Sequence, residues 1–195
     1  MERAAEIARK TKETDIRVRL DLDGGGAAKV GTGIGFLDHM LTHVAVHGFF
    51  DLDVEARGDL HVDFHHTVED VGIALGAAVA QVLGDRSGIA RYGEATVPMD
   101  EALASVALDL SGRVHVSYDD GLAPGKVGDV DIELFREFFE AFGRSAGATV
   151  HVRVLSGRNA HHVIEAVFKA FGRALDRATA REPRRRGVPS TKGSL

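Results

Sequence analysis

The sequence contains no cysteine and no tryptophan, and only 2 tyrosines among 195 residues. The lack of cysteine excludes disulfide bonds, thiolate zinc sites and cysteine nucleophiles. No apolar run approaches the roughly 18 residues that a membrane-spanning helix requires. The N-terminal residues are charged and lack the apolar core of a signal peptide. These absences predict a cytoplasmic protein without a membrane partner.

The net charge and the composition further restrict the class of protein. The formal net charge is −5 at pH 7, which gives no general attraction for nucleic acids. The 44% of hydrophobic and 27% of charged residues are typical of a globular protein. At about 150 residues per domain, the length predicts one domain or two small halves in close contact. The unusual feature is the content of 10 histidines, because histidine is the commonest metal ligand.

The spacing of apolar residues divides the chain into strands and helices. Alternation predicts strands over 15–22, 50–54, 60–64, 103–110, 114–118 and 149–155. Helical spacing predicts helices over 34–48, 65–84, 133–145 and 162–178. Proline and glycine in 122–129 predict a loop there, and a basic polar tail follows Pro183.

A histidine motif occurs twice, about half the chain length apart. His65-His66-Thr67-Val68-Glu69 and His161-His162-Val163-Ile164-Glu165 share the pattern H-H-x-x-E. A strand and a short connection precede each copy, and a long apolar helix follows it. The repeat predicts a duplicated α+β unit in which helices cover mixed sheets.

Each motif copy offers one chelating pair and one separate imidazole. A helix turns about 100° per residue, so the first histidine and the glutamate share one face while the second histidine points elsewhere. Two facing copies could hold two ions, each bound by the pair of one copy and the second histidine of the other. His39 and His151 would complete four ligands per ion, and symmetry alone leaves open which of them serves which ion. A single histidine pair at a helix start is usually only solvated, but two copies favour metal binding.

Three imidazoles and one carboxylate suit Mn²⁺, Fe²⁺, Co²⁺ or Zn²⁺. Four protein ligands leave open positions in an octahedral site, which favours Mn²⁺ over tetrahedral Zn²⁺. His39, His43 and His47 also form a ladder on one helix face, in which His43 has the weakest case for a function.

The basic tail offers the donors of a phosphate clamp, although such a run can also be a solvated end. Hydroxyl, ammonium and backbone N–H donors are available in Ser190, Thr191, Lys192 and Gly193. Further candidate cations, each a surface charge when taken alone, are Arg91, Arg113 and Lys169. The segment Met99-Asp100-Glu101-Ala102-Leu103 places two carboxylates before a strand, and its structural and functional interpretations are evenly balanced.

In order and spacing, these motifs resemble the imidazoleglycerol-phosphate dehydratase family over nearly the whole chain. The matching segments are Glu13-Thr14, Phe36-Leu37-Asp38-His39-Met40-Leu41, His47-Gly48, His65-His66-Thr67-Val68-Glu69-Asp70, Met99-Asp100-Glu101-Ala102-Leu103, 159–170 and Pro189-Ser190-Thr191-Lys192-Gly193. Phe64 departs from the family's pattern, which has an acidic residue before the first histidine pair. The departure concerns a hydrogen bond to His65 or His66 rather than metal ligation.

The resemblance implies an α+β fold of tandem-duplicated half-domains (ribosomal protein S5 domain 2-like), each with a four-stranded mixed sheet and two helices. The half-domains would span 1–92 and 93–182, and the basic C-terminal tail 183–195 would complete the phosphate site. It also implies a homo-oligomeric shell of twenty-four subunits with intersubunit active sites, and two Mn²⁺ per active site.

The implied reaction belongs to histidine biosynthesis: D-erythro-imidazole-glycerol phosphate loses water to give imidazole-acetol phosphate. No carbonyl activates the C–H bond, but a metal-bound imidazolate ring can hold the negative charge through conjugation and form a diazafulvene-like intermediate. We expect Glu13 to be the general base, with His47 and Glu165 as nearby catalytic groups.

The resemblance also assigns the ligands and the substrate contacts. One metal ion would be bound by His39, His66, His161 and Glu165, and the other by His65, Glu69, His151 and His162. The residues that would contact the substrate or its metals are Glu13, His39, His47, His65, His66, Glu69, Arg91, Arg113, His161, His162, Glu165, Lys169, Ser190, Thr191 and Lys192.

Two other functions compete with this one. A two-metal hydrolase of a small phosphorylated substrate would usually rely on bridging carboxylates, whereas this ligand set is rich in histidine. A metal-storage shell of the ferritin type would place mostly glutamates on four long helices.

Overall fold

The chain forms two sheets that share one strand order. The computed structural model describes residues 3–193, so residues 1, 2, 194 and 195 of the predicted half-domain and tail lie outside it. The first half forms β1 Ala4–Lys10, β2 Thr14–Asp21, β3 Ala28–Gly31, α1 Gly35–Gly48, β4 Asp51–Gly58 and α2 His65–Leu83. The second half forms β5 Tyr92–Met99, β6 Ala102–Asp109, β7 His115–Asp119, β8 Lys126–Val127, β9 Val130–Asp131, α3 Leu134–Ala146, β10 Thr149–Ser156 and α4 Ala160–Thr179.

The topology of the two sheets confirms the predicted fold class. The strand orders are β1-β2-β4-β3 and β5-β6-β10-β7, so each sheet has four strands. In both sheets the last pair is parallel and the other pairs are antiparallel. The second half adds the two-stranded β8-β9 sheet before its first helix. The fold is therefore α+β, with two helices and one mixed sheet in each half.

The helices pack across the two halves. Helix α1 lies against α4, and α2 lies against α3. Six phenylalanines of α3 and α4 are fully buried in the shared core, namely Phe135, Phe138, Phe139, Phe142, Phe168 and Phe171. Burying such a side chain stabilises a fold by roughly 1.5–3 kcal/mol. No helix within residues 3–193 is long and apolar enough to cross a membrane.

The sequence prediction is wrong at 60–64, which is a turn and not a strand. The backbone N–H of Val62 donates to the carbonyl of Asp59 at 2.8 Å, a bond that closes the turn. Val62 is 62% exposed, so the apparent alternation does not direct it to the core. The prediction also omitted five strands, which are β1, β3, β5, the short strand β8 inside the predicted loop and the short strand β9 directly after it. Of these, β1, β3 and β5 are edge strands, where exposure weakens the alternating pattern.

Glycine permits the close approach of the crossing helices. Gly76 on α2 and Gly172 on α4 stand at the same position of the two repeats. A Cβ at Gly76 would lie 2.5 Å from the backbone oxygen of Phe142, and one at Gly172 would lie 2.7 Å from that of Val44. Backbone atoms of a packed helix cannot move aside individually, so a larger residue must separate the two helices.

We expect Gly172→Ala and Gly76→Ala each to lower the free energy of unfolding by about 1–3 kcal/mol, because overpacking outweighs the better helix propensity of alanine. Urea denaturation would measure the change. Gly31→Ala is the matched control, since a Cβ there meets no atom within 4 Å. Unchanged stability of both helix variants would contradict this account of the helix crossings.

Candidate metal centre

The packing of α1 on α4 brings three predicted ligands of one metal ion together. His161 and Glu165 stand one turn apart on α4, and His161 Nε2 lies 3.1 Å from Glu165 Oε2. His39 on α1 places its Nε2 atom 3.5 Å from the same oxygen. The i and i+4 pairing expected from the motif therefore exists at the start of α4 and faces His39.

His43 joins this cluster, although it had the weakest case for a function among the three histidines of the ladder. Its Nε2 atom lies 3.3 Å from Glu165 Oε1 and 3.2 Å from His39 Nε2. The ligand atoms of His39, His43 and Glu165 all lie within 4.8 Å of one another, a geometry that could hold a metal ion. The four-residue spacing of the histidine ladder was the signal in the sequence that could have indicated this contact. His47 follows one turn later, and its ring is stacked 5.5 Å from that of His43.

The charge states in the cluster suit metal binding. Glu165 is only 4% exposed, and this burial raises its pKa. The hydrogen bond from Lys169 Nζ at 2.6 Å and the neighbouring His43 outweigh burial and hold the pKa at about 2. Burial lowers the pKa of His43 to about 4. At neutral pH the cluster thus contains an ionised carboxylate and a neutral His43, and imidazole with carboxylate is a donor set that divalent ions such as Mn²⁺ accept.

The first motif copy begins α2 and has a different neighbour. His65 Nε2 lies 4.0 Å from Glu69 Oε2, which is the predicted pair of one helix face. The other oxygen of Glu69 accepts a hydrogen bond from Arg144 at 2.8 Å. Arg144 belongs to α3, so the second half of the chain holds the carboxylate of the first motif.

The second histidine of each copy has a carboxylate at Nδ1. His66 Nδ1 lies 3.0 Å from Asp59 Oδ2, and His162 Nδ1 lies 2.7 Å from Glu101 Oε2. These hydrogen bonds raise the pKa of both imidazoles. Asp59 thus supplies the hydrogen bond for which the family's acidic residue at Phe64 was expected. Asp59 directly precedes the turn at 60–64, which the alternating pattern wrongly predicted as a strand, so no signal in the sequence indicated this contact.

One chain does not join the complete ligand sets that the resemblance assigns. Within residues 3–193, no hydrogen bond or ion pair connects His66 to the cluster around Glu165. The same part of the chain shows none between His162 and the pair of His65 and Glu69. His151 stands on β10 with its ring 5.5 Å from that of His115. The assembly of the two four-ligand sets stays a prediction.

A basic cavity of about 630 Å³ lies where the tail returns to β5. Its lining includes the predicted phosphate ligands Arg91, Arg113, Ser190, Thr191 and Lys192. Arg91 is buried and donates from Nε to Asp109 and from Nη1 to the carbonyl of Pro189, both at 2.6 Å. Arg113 pairs with the same Asp109 at 3.3 Å. Arg91 therefore fixes the tail beside the cavity, which concentrates hydroxyl, guanidinium and ammonium donors.

Comparison with known proteins identifies one family. The family model described as imidazoleglycerol-phosphate dehydratase matches residues 32–175. The imidazoleglycerol-phosphate dehydratase of Geobacter metallireducens is 56% identical over 195 residues and covers 100% of both chains. That of Gluconacetobacter diazotrophicus is 57% identical over 194 residues, covering 99% of this chain and 98% of the relative.

Solved structures give the same result. The crystal structure of imidazoleglycerol-phosphate dehydratase from Staphylococcus aureus has a TM-score of 0.83 at 38% identity, covering 92% of this chain and 99% of that one. The structure from Pyrococcus furiosus in complex with (S)-C348 has a TM-score of 0.81 at 38% identity, with 97% and 100% covered. This chain belongs to the imidazoleglycerol-phosphate dehydratase family, whose members are hydro-lyases of histidine biosynthesis.

Proposed function

We propose that this chain dehydrates D-erythro-imidazole-glycerol phosphate to imidazole-acetol phosphate with two Mn²⁺ per active site. The observation that carries the proposal is the contact of Glu165 with His39, His43 and His161, an imidazole-rich donor set around one ionised carboxylate. Such a set suits a borderline divalent ion with positions left for substrate. A bound Mn²⁺ would supply Lewis-acid stabilisation of an anionic substrate ring.

The active site would be shared between subunits of a homo-oligomer. In one chain, His39 and His161 meet at α1 and α4, whereas His66 stands at α2 with other partners. The side chains of His39, His161 and His65 are each more than 40% exposed. A metal ion bound to them could therefore take further ligands from a second copy of the chain. We propose the twenty-four-subunit shell of the family as the assembly. It would bring His66 and His162 of one subunit to the incomplete sets of metal ligands in another.

The chain's own residues would move the protons. Glu13 has a half-exposed side chain, and its carboxylate lies 3.9 Å from His66 Nδ1, beside the predicted metal ligands. From there it can accept the substrate C–H proton as the general base. Loss of the ring N–H proton would give an imidazolate, whose electrons expel the hydroxyl of the adjacent carbon as water and leave a diazafulvene-like species. Transfer of the C–H proton of the next carbon to Glu13 would then give the enol, which becomes the ketone of the product. Lys169 is a cationic donor in contact with Glu165. His47 is a second donor within electrostatic reach of Glu165, and burial lowers its pKa.

The tail would hold the phosphate of the substrate. Ser190, Thr191 and Lys192 line the basic cavity together with Arg91 and Arg113. Phosphate favours this combination of ammonium, guanidinium and hydroxyl donors. Arg91 fixes the tail through Pro189, so the donors that follow start from a defined position.

Replacing the proposed base tests the proton transfer. We expect Glu13→Gln to lower kcat by about 10²–10⁴-fold, because a general base contributes that much. The bound manganese, measured by elemental analysis, should not change. Glu6→Gln removes an exposed carboxylate of β1 and serves as the matched control. Full turnover of Glu13→Gln with metal bound would show that Glu13 is not the base.

Acidification tests the metal ligation. Protons compete with the metal for imidazole nitrogens, so metal and activity should be lost together below about pH 6. The raised pKa values of His66 and His162 in the metal-free protein shift this competition toward higher pH, since protonation of a ligand opposes binding. Elemental analysis after dialysis at stepwise lower pH gives the profile. Stoichiometric metal at about pH 4.5 would be incompatible with histidine ligation.

A charge removal in the tail tests the phosphate clamp. We expect Lys192→Gln to raise KM by about 10- to 100-fold, the value of one or two charge-assisted hydrogen bonds, without loss of metal. Steady-state kinetics and metal analysis would separate the two effects. Arg184→Gln is the control because Arg184 pairs with Glu182 and does not line the cavity. Equal KM values for the two variants would reject the clamp.

A further inference from the structure

Glu13 and Glu101 occupy equivalent positions in the duplicated halves. Glu13 is the residue directly before β2, and Glu101 is the residue directly before β6. Each therefore ends the turn between the first and second strands of its sheet. Each also faces the second histidine of the motif in its own half, which is His66 for Glu13 and His162 for Glu101.

The two equivalent glutamates make different contacts. Glu101 Oε2 lies 2.7 Å from His162 Nδ1, a direct hydrogen bond. Glu13 is 3.9 Å from His66 Nδ1, beyond hydrogen-bond distance. Asp59 Oδ2 occupies that place instead, at 3.0 Å. In the first half, Asp59 thus makes the contact that Glu101 makes in the second.

The carboxylates determine which ring nitrogen carries the proton. Glu101 lies within hydrogen-bond distance of His162 Nδ1 and of two backbone N–H groups, and an ionised carboxylate can only accept hydrogen bonds. Nδ1 of His162 must then donate. In a neutral imidazole this leaves the lone pair on Nε2, the nitrogen that remains for a metal. The same reasoning applies to His66 and Asp59.

Neither carboxylate is positioned by packing alone. The other oxygen of Glu101 accepts the backbone N–H groups of Arg158 at 3.2 Å and Asn159 at 2.8 Å, so the side chain is fixed at the start of α4. The other oxygen of Asp59 is buried and has no hydrogen-bond partner in the described part of the chain. Within residues 3–193, the hydrogen bond of the Asp59 side chain is therefore the one with His66.

We propose that Glu101 and Asp59 are positioning residues that keep Nδ1 of His162 and His66 protonated and thereby present Nε2 to the metal. By making this contact in the first half, Asp59 leaves Glu13 without a hydrogen bond to His66 and available to the substrate. The inference rests on the proposed function, because it takes His66 and His162 as metal ligands.

Glu101→Gln tests the proposal directly. Glutamine keeps an oxygen for the N–H groups of Arg158 and Asn159 and places its NH₂ group against His162 Nδ1. A donor there favours the tautomer with the proton on Nε2, which blocks metal binding. In metal-free protein labelled with ¹⁵N-histidine at about pH 9, where neutral imidazole predominates, solid-state NMR should show one fewer ring protonated at Nδ1. The affinity for Mn²⁺, measured by calorimetry, should fall by about 10- to 100-fold.

Asp59→Ala tests the first half in the same two measurements, and we expect the same fall in Mn²⁺ affinity. Glu55→Gln is the control, because Glu55 is exposed on β4 and, among residues 3–193, forms an ion pair with Lys29 alone. Thermal melting identifies any variant that is merely unstable. If wild-type protein binds Mn²⁺ and Glu101→Gln keeps both the tautomer pattern and the affinity, the positioning role is overturned while the proposed function stands. If wild-type protein binds no Mn²⁺, the proposed function fails, and the inference fails with it.

Discussion

A charged carboxylate inside a protein requires partners, and the arrangement around Glu165 follows from this requirement. Water is nearly excluded from this side chain, so leaving it unpaired would cost several kcal/mol. Lys169 and His161 approach it from its own helix, and His39 and His43 approach it from α1. One electrostatic constraint therefore holds two helices from different halves in register and places the predicted ligands on one side of the cluster.

The duplication makes the two halves depend on each other. Helix α1 packs on α4 and α2 on α3, so the helices of each half reach into the other half's core. The same exchange is seen in the polar groups, since Arg144 of the second half holds Glu69 of the first. Equivalent positions have nevertheless diverged, as Glu13 and Glu101 illustrate. The repeat places identical residues at equivalent positions, and the surroundings of each position give them different contacts.

The sequence was sufficient to predict contacts between site residues that are neighbours along one helix. The H-H-x-x-E spacing predicted the pair of His161 and Glu165, because residues four apart on a helix must share a face. It could not predict that His43 joins them, since this depends on the crossing of α1 and α4. Asp59 was not predicted for a related reason. The turn at 60–64 has the alternating pattern of a strand, and the contact of Asp59 with His66 exists only in the folded chain. Edge strands such as β3 were missed because their mostly exposed residues carry no periodic signal.

The bond from Arg91 to the Pro189 carbonyl has a thermodynamic consequence for ligand capture. A free terminal segment loses conformational entropy when it closes over a ligand, at about 1–2 kcal/mol for each backbone residue that becomes ordered. Here the guanidinium is itself held by Asp109, so the path of the chain as far as Pro189 is already fixed by the folded protein. In the proposed binding of phosphate, only the few residues beyond that anchor would bear an ordering cost on association, and most of the attraction between a dianion and this corner would be left to favour binding.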